Sequence, residues 1–406
     1  MKTTKKPPVL VFITDNYKDC AAATFAARPV LFKPLITYRT DALIEAGYDQ
    51  ICVVDGQFQE EYASFFENTP EVSLGSATGK TYPLEQAGQF LEKSPSEEVL
   101  VCWGDFPVTQ ATALFEISSS IHAQVASNEE NFFYLSKNDL LPLLASQEED
   151  LSAFEDNFQG GQCACTPGVP ADPIPLPHHF LRLQSFFRTY KNHQLMDEGV
   201  YLMGTDGVLI HPDAKVGKNT LIYPGTILKQ GVVIGENCVI GPDVIIEDCT
   251  IGNNTVINAS QLYQSKIGNH VHIGPYCHVR PNSVLQDFVH LGDFVEVKNS
   301  TIDEDTHVSH LTYIGDSDFG KRVNVGCGVV VVNYDGQNKH RTTVGDGSFI
   351  GCNTNLVSPV HLGNGAYTAA GSTITQDIPE DSLGIARAPQ VNKEGWAKGK
   401  YKKNKE

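Results

Sequence analysis

The sequence predicts two architectures in one chain: an α/β layered, Rossmann-like domain at the amino terminus and a parallel β-helix of hexapeptide repeats over roughly Val208–Ile374. Ile210, Val216, Ile222, Leu228, Ile234, Ile240 and Ile246 are all aliphatic and stand six residues apart. If such residues fill about a quarter of a chain, seven hits in one phase have a chance near 10⁻⁴. The phase slips and resumes through Ile251 and Ile257; Ile267, Ile273 and Val279; Leu285, Leu291 and Val297; Ile302, Val308 and Ile314; Val325 and Val331; and Val344, Ile350, Leu356 and Leu362. A six-residue unit of short strand plus turn, three units to a coil, points each aliphatic side chain inward onto its neighbours. Such a unit cannot bury its apolar face alone, so many must stack. Glycine repeatedly follows the aliphatic position, as in Val216-Gly217, Ile234-Gly235, Ile240-Gly241 and Ile251-Gly252. There it is expected to take the positive φ of a turn.

The amino-terminal half alternates strands with helical segments. VLVFI (Val9–Ile13), QICVVDG (Gln50–Gly56), EVLVCWGD (Glu98–Asp105) and NFFYLS (Asn131–Ser136) read as buried strands, and Leu35–Gly47 as a helix with a glycine stop. That alternation implies a parallel sheet in an α/β arrangement. The segment Phe158–Pro177 is too rich in proline and glycine for helix or ladder. His178–Gly199 then reads as one amphipathic helix. The expected division is 1–157, a linker and connecting helix at 158–205, the β-helix at 206–380, and a tail at 381–406.

Composition narrows the function. A length of 406 residues predicts two or three domains. A formal charge of −18 argues against a nucleic-acid partner but leaves room for a small anion in a local cationic pocket. The basic run Lys398, Lys400, Lys402, Lys403 and Lys405 reads as a solvated tail. The apolar run Val9–Ile13 is too short for a secretory signal, and no stretch suits membrane insertion. The 10 cysteines form no framework, which fits reduced thiols in a cytoplasm; Cys163 and Cys165 make only a lone C-x-C.

One segment interrupts the repeat. VNYDGQNKHRTT (Val332–Thr343) is too long for a turn and rich in polar donors, and loops extruded from rigid scaffolds commonly carry function. Upstream of it, HLTYIGD places His310 three residues from Tyr313. Taken alone, any histidine of this region (His270, His272, His278, His290 and His307 are others) reads as a surface or packing residue.

The ordered runs Arg280–Pro281, LGDFVEVKNS (Leu291–Ser300), SHLTYIGD (Ser309–Asp316), VNVGCG (Val323–Gly328), NYDGQNKHRT (Asn333–Thr342), FIGCNTNLVSPV (Phe349–Val360), AAGSTIT (Ala369–Thr375) and ARAPQVNKEGW (Ala386–Trp396) extend the reading. From about Asp206 onward the chain resembles the acetyltransferase domain of the bacterial bifunctional glucosamine-1-phosphate N-acetyltransferase/N-acetylglucosamine-1-phosphate uridylyltransferase family. The resemblance implies a left-handed β-helix, a homotrimer with sites between subunits, acetyl-CoA as cosubstrate and a sugar phosphate as acceptor. It implies that His310 is the general base, and that Asn333 and the backbone N–H of Tyr334 face the thioester. Arg280 and Lys339 would clamp the phosphate, with Lys298, Tyr313 and Asn324 completing the sugar site. Cys327, Cys352, Ala370, Arg387 and Lys393 would line the acetyl-CoA path. Cys352 stands where the family usually has serine, and Cys327 where alanine is common; a thiol is the weaker donor.

The amino-terminal half is similar to the family's uridylyltransferase domain in outline only. Asp105 matches a magnesium-binding aspartate, but the expected second ligand corresponds to Phe180 or Leu181. ITDNYKDC (Ile13–Cys20) lacks the glycines that let a backbone approach a triphosphate. The expectation is an acetyltransferase that has lost uridylyl transfer and has no firm magnesium requirement. Competing readings are a retained bifunctional enzyme, a trimeric zinc hydratase whose histidines converge on one metal, and a non-catalytic binding protein.

Overall fold

A computed structural model describes residues 6–13, 29–45, 47–55, 64–75, 83–103, 132–138, 140–141 and 177–398. Two compact units result, residues 1–194 with 210–212, and residues 195–209 with 213–406. Asp105, Cys163 and Cys165, and the linker up to residue 176, lie outside the described residues.

In the first unit the expected strands form one sheet. β1 (Val9–Ile13), β2 (Ile51–Asp55), β3 (Val72–Gly75), β4 (Glu98–Trp103) and β5 (Phe132–Ser136) run in the order β3-β2-β1-β4-β5. Four strands are parallel, as the alternation with helices requires. β5 corrects the expectation of an all-parallel sheet: it pairs antiparallel with β4, Val101 opposite Phe133. An antiparallel edge strand on a parallel sheet is a common arrangement, and residue periodicity does not encode strand direction. α1 (Leu35–Glu45) buries Ile36 and Leu43 against Val9, Val11, Ile51 and Val53, and α2 (Pro83–Lys93) follows β3. α3 (Pro177–Asp197) ends as its sequence suggested: Gly199 takes φ +91°, and its N–H bonds to the carbonyl of Met196.

The second unit is the left-handed β-helix. Its paired strands reach from Tyr201–Leu202 to Leu383–Gly384, a few residues beyond 206–380 at each end. The chain visits three walls in turn, sheets of 11, 10 and 9 strands, each strand pairing parallel with its counterpart one coil away. Every aliphatic position named above, from Ile210 to Leu362, is buried. Leu262 and Phe319, which the six-residue count passed over, fill the same ladder. Four of the slips arise at the corner between the second and third walls, where Asp248, Gln264, Asn299 and Asp316 turn the chain at positive φ in one residue fewer than most corners use. Another, from Ile257 to Leu262, arises at Ala259 between the first and second walls.

The role assigned to the repeat glycines needs correction. Gly241 does adopt φ +107°, but Gly217, Gly235 and Gly252 are not in the left-handed region. Their positions are fixed by contact: a Cβ on Gly217 or Gly252 would lie 2.6 Å from the backbone of Gly235 or Gly268 in the next coil. At that corner positive φ falls two residues later, on Asn219, Asn237, Asn254 and their successors. Asparagine tolerates that region because its short amide bonds locally.

Candidate active site

The corner between the first and second walls gathers several of the candidate residues. Strand His307–His310 ends there, and its neighbour His290–Asp293 lies one coil away with Asp293 opposite His310. Backbone bonds then tie one coil to the next along this edge: Leu311 N–H to Asp293 O, Gly328 N–H to His310 O, Asn353 N–H to Cys327 O and Gly371 N–H to Cys352 O. Asp293, His310, Cys327, Cys352 and Ala370 therefore form a file along one corner, with coils about 4.8 Å apart. Arg387 continues it, its Cδ 3.9 Å from where a Cβ on Gly371 would stand. The His310 side chain is 56% exposed, and its Nδ1 lies 2.9 Å from Asp293 Oδ1. Cys352 is exposed, whereas Cys249 and Cys277 are core thiols that burial pushes up to about 11.

The second wall carries the cations. Arg280 follows strand His278–Val279, which pairs with Glu296–Lys298, so Arg280 sits beside Lys298 in the adjacent coil. Arg280 Nη1 donates to Glu296 Oε1 at 2.8 Å. Lys298 and Lys339 are within hydrogen-bonding reach of each other. That contact, then burial and the Arg280 charge, hold the Lys298 ammonium below the usual lysine range, against the pull of Asp316. Two ammonium groups have no acceptor to share. Three cations against the carboxylates of Glu296 and Asp316 leave a net positive wall suited to an anion. Tyr313 lies on the same wall, opposite Glu296.

The extruded loop leaves at the next corner. Asn333 is 8% exposed and donates its amide to Asp316 Oδ2 and, at 3.5 Å, to Tyr313 Oη. The Asn333 amide, expected to face the thioester, is engaged with Asp316, whose buried carboxylate must be satisfied. Burial pushes Asp316 up. Bonds from Asn299 and Asn333, with the charges of Lys298 and Lys339, outweigh that and hold it below the usual carboxylate range. Beyond Asn333 the loop is a tight hairpin: His340 N–H bonds to Asn333 O, Asp335 N–H to Asn338 O, and Tyr334 bridges Lys339 between them. In that pattern the central pair lies outside the ladder, so the Tyr334 N–H points away from the hairpin. Asp335 holds the tip, accepting from the Gln337 and Asn338 N–H groups at 2.7 Å, with His340 Nε2 at 2.7 Å; these bonds depress its carboxyl strongly. Arg341 pins the base by donating to Asp318 and to the carbonyls of Asn299 and Ser317.

Two expected residues stand apart within one chain. Asn324 is on the first wall, between His307 and Phe349, and Lys393 is in the exposed tail. Asp293, Glu296, Asp316 and Asp335 were not foreseen as members. Asp293 was detectable in principle, since it precedes His310 by 17 residues, one coil. Among the described residues no group of three or more histidine, cysteine or acidic side chains is placed to hold a metal ion, and no helix is long and apolar enough to cross a membrane.

Comparison with known proteins agrees with this architecture. A model for the bacterial transferase hexapeptide (six repeats) matches residues 213–248 and 341–376, and one for the GlmU-like C-terminal hexapeptide matches 244–332. The chain is 46% identical over 289 residues to the bifunctional protein GlmU of Clostridium perfringens, covering 70% of this chain and 61% of that one. It is 44% identical over 292 residues to the Bacillus velezensis protein of the same name, covering 72% and 61%. For the Caldicellulosiruptor saccharolyticus protein the figures are 53% over 205 residues, covering 50% and 44%. The matches thus span about three fifths or less of these relatives' length. Over its β-helix this chain is thus similar to the GlmU-like hexapeptide-repeat transferases.

Proposed function

We propose that this protein transfers the acetyl group of acetyl-CoA to the amine of glucosamine 1-phosphate, giving N-acetylglucosamine 1-phosphate and free CoA. The observation that carries the reading is the convergence of Arg280 and Lys298 of the second wall with Lys339 of the hairpin, beside the exposed His310 at the wall's other corner. Fixed cations are what a sugar phosphate requires. An imidazole suits removal of the amine proton near neutral pH as nitrogen attacks the thioester carbonyl. The Tyr334 N–H then meets the oxygen on which negative charge grows, and Asn333 acts by holding the hairpin through Asp316. Acetyl-CoA lies along the corner file past Cys327, Cys352 and Ala370, with Arg387 and Lys393 at its phosphates. Asn324 completes the sugar site from a neighbouring copy in a homotrimer.

The product belongs to UDP-N-acetylglucosamine synthesis for cell-wall peptidoglycan in the cytoplasm. On this reading uridylyl transfer is lost, because no glycine follows the first strand in the sequence and Phe180 or Leu181 stands where a second magnesium ligand is expected. Incubation of the full chain with both substrates, reading free thiol and acetylated product together, tests the proposal. Saturable release of both supports it. A folded protein that releases neither defeats it.

A further inference from the structure

We propose, on the acetyltransferase reading above, that Asp293 is a positioning residue: it fixes the tautomer and the direction of the His310 ring and stabilises the imidazolium formed as the amine is deprotonated. A carboxylate only accepts, so the 2.9 Å contact requires the proton to be on Nδ1, which leaves Nε2 as the basic lone pair. The register makes this arrangement rigid. Asp293 and His310 are opposed on neighbouring strands, and the Leu311 N–H bonds to the Asp293 carbonyl at 2.9 Å, so the two side chains leave the same corner one coil apart. The bond from His310, together with the backbone N–H of Asp293 itself, holds this carboxyl below its usual range. The carboxylate is therefore ionised throughout the range in which an imidazole accepts a proton.

Among the described residues no other side chain bonds to the His310 ring. The backbone carbonyl of His310 is engaged within the stack, taking the Thr312 hydroxyl at 2.8 Å and the Gly328 N–H. His290 and His307 stack on each other along the first wall, ring centroids 5.7 Å apart, and His307 meets Asp305 at 3.4 Å. Both groups of the Asp293–His310 pair are exposed, and exposed ion pairs add little to stability. The contact therefore contributes more to orienting the ring than to stability.

The lone pair of the neutral amine forms a C–N bond to the thioester carbonyl carbon, and as the nitrogen gains positive charge its N–H bond breaks and the proton binds His310 Nε2. The Nδ1 proton stays on the ring; the C–S bond then breaks, and the departing CoA sulfur receives the Nε2 proton. No oxidant or metal enters the balance. The test is a double-mutant cycle on the full chain, with Asp293→Ala, Asp293→Asn, His310→Ala and the pair Asp293→Ala/His310→Ala, measured for kcat, KM and thermal midpoint. Asp293→Ala is expected to lower kcat about tenfold to a hundredfold with both KM values and the midpoint unchanged. Asp293→Asn should fall similarly, because an amide can hold the ring in either tautomer and carries no charge. In the His310→Ala background, Asp293→Ala should cost nothing further. Equal losses with and without His310, or a full rate in Asp293→Ala, would overturn the inference. Were His310→Ala itself fully active, the acetyltransferase reading would fail instead, which keeps the two outcomes apart.

Discussion

At the scale of single residues, the site is held by acceptors that satisfy fixed donors. Asp316 is the sharpest case. It is 6% exposed and takes the amide of Asn299 at 2.5 Å as well as that of Asn333. Two amide donors need an acceptor-only partner. Asp316→Asn offers a single oxygen and sets its own NH₂ against one of them, so the change should cost about 1–3 kcal/mol of stability at pH 7. The sign of the pH dependence follows from the depressed carboxyl: its stabilisation is present above the unfolded value near 4 and is lost as pH falls through the lower folded value. Thermal midpoints of wild type and Asp316→Asn should therefore diverge at pH 7 and draw together below about pH 4. Cys352 gives a second prediction. If it faces the thioester, Cys352→Ser supplies a stronger donor, and kcat should rise by a few-fold, on the order of 1 kcal/mol of barrier; equal rates would place the side chain off the reaction path.

At the scale of elements, the aliphatic ladder was legible because inward-facing positions recur wherever each coil stacks on the next. The corners were not, since one turn residue more or fewer leaves the apolar count intact while shifting its phase. The repeat glycines mark the same limit: composition announced a special backbone site, but only the stacked coils reveal that Gly252 is excluded from bearing a Cβ by Gly268 and not by its own φ. Gly252→Ala should consequently destabilise the β-helix by about 1–3 kcal/mol, read from chemical denaturation. The candidate site was legible wherever a motif supplied it, as with His310, Arg280 and Lys339. Its acidic members escaped notice because each acts through a neighbour one coil or one hairpin away. The hairpin yields its own prediction. Asp335→Ala removes the acceptor for two backbone N–H groups and the partner of His340. It should loosen the segment bearing Tyr334 and Lys339, lowering kcat and raising KM for the sugar phosphate while leaving the thermal midpoint within a few degrees of wild type.

At the scale of the whole molecule, two units with separate cores carry unequal shares of the proposed chemistry. The β-helix is a stack of coils in which every coil repeats its neighbour's geometry, so a base, a cationic wall and an extruded hairpin keep fixed spacing without a dedicated scaffold. The amino-terminal unit keeps a layered sheet, and the sequence Ile13–Cys20 that follows its first strand holds no glycine. The most direct test of the account is the turnover of His310→Ala with acetyl-CoA and glucosamine 1-phosphate. A fall in kcat of about two to four orders of magnitude in a normally folded protein is predicted; a rate equal to wild type would contradict the account.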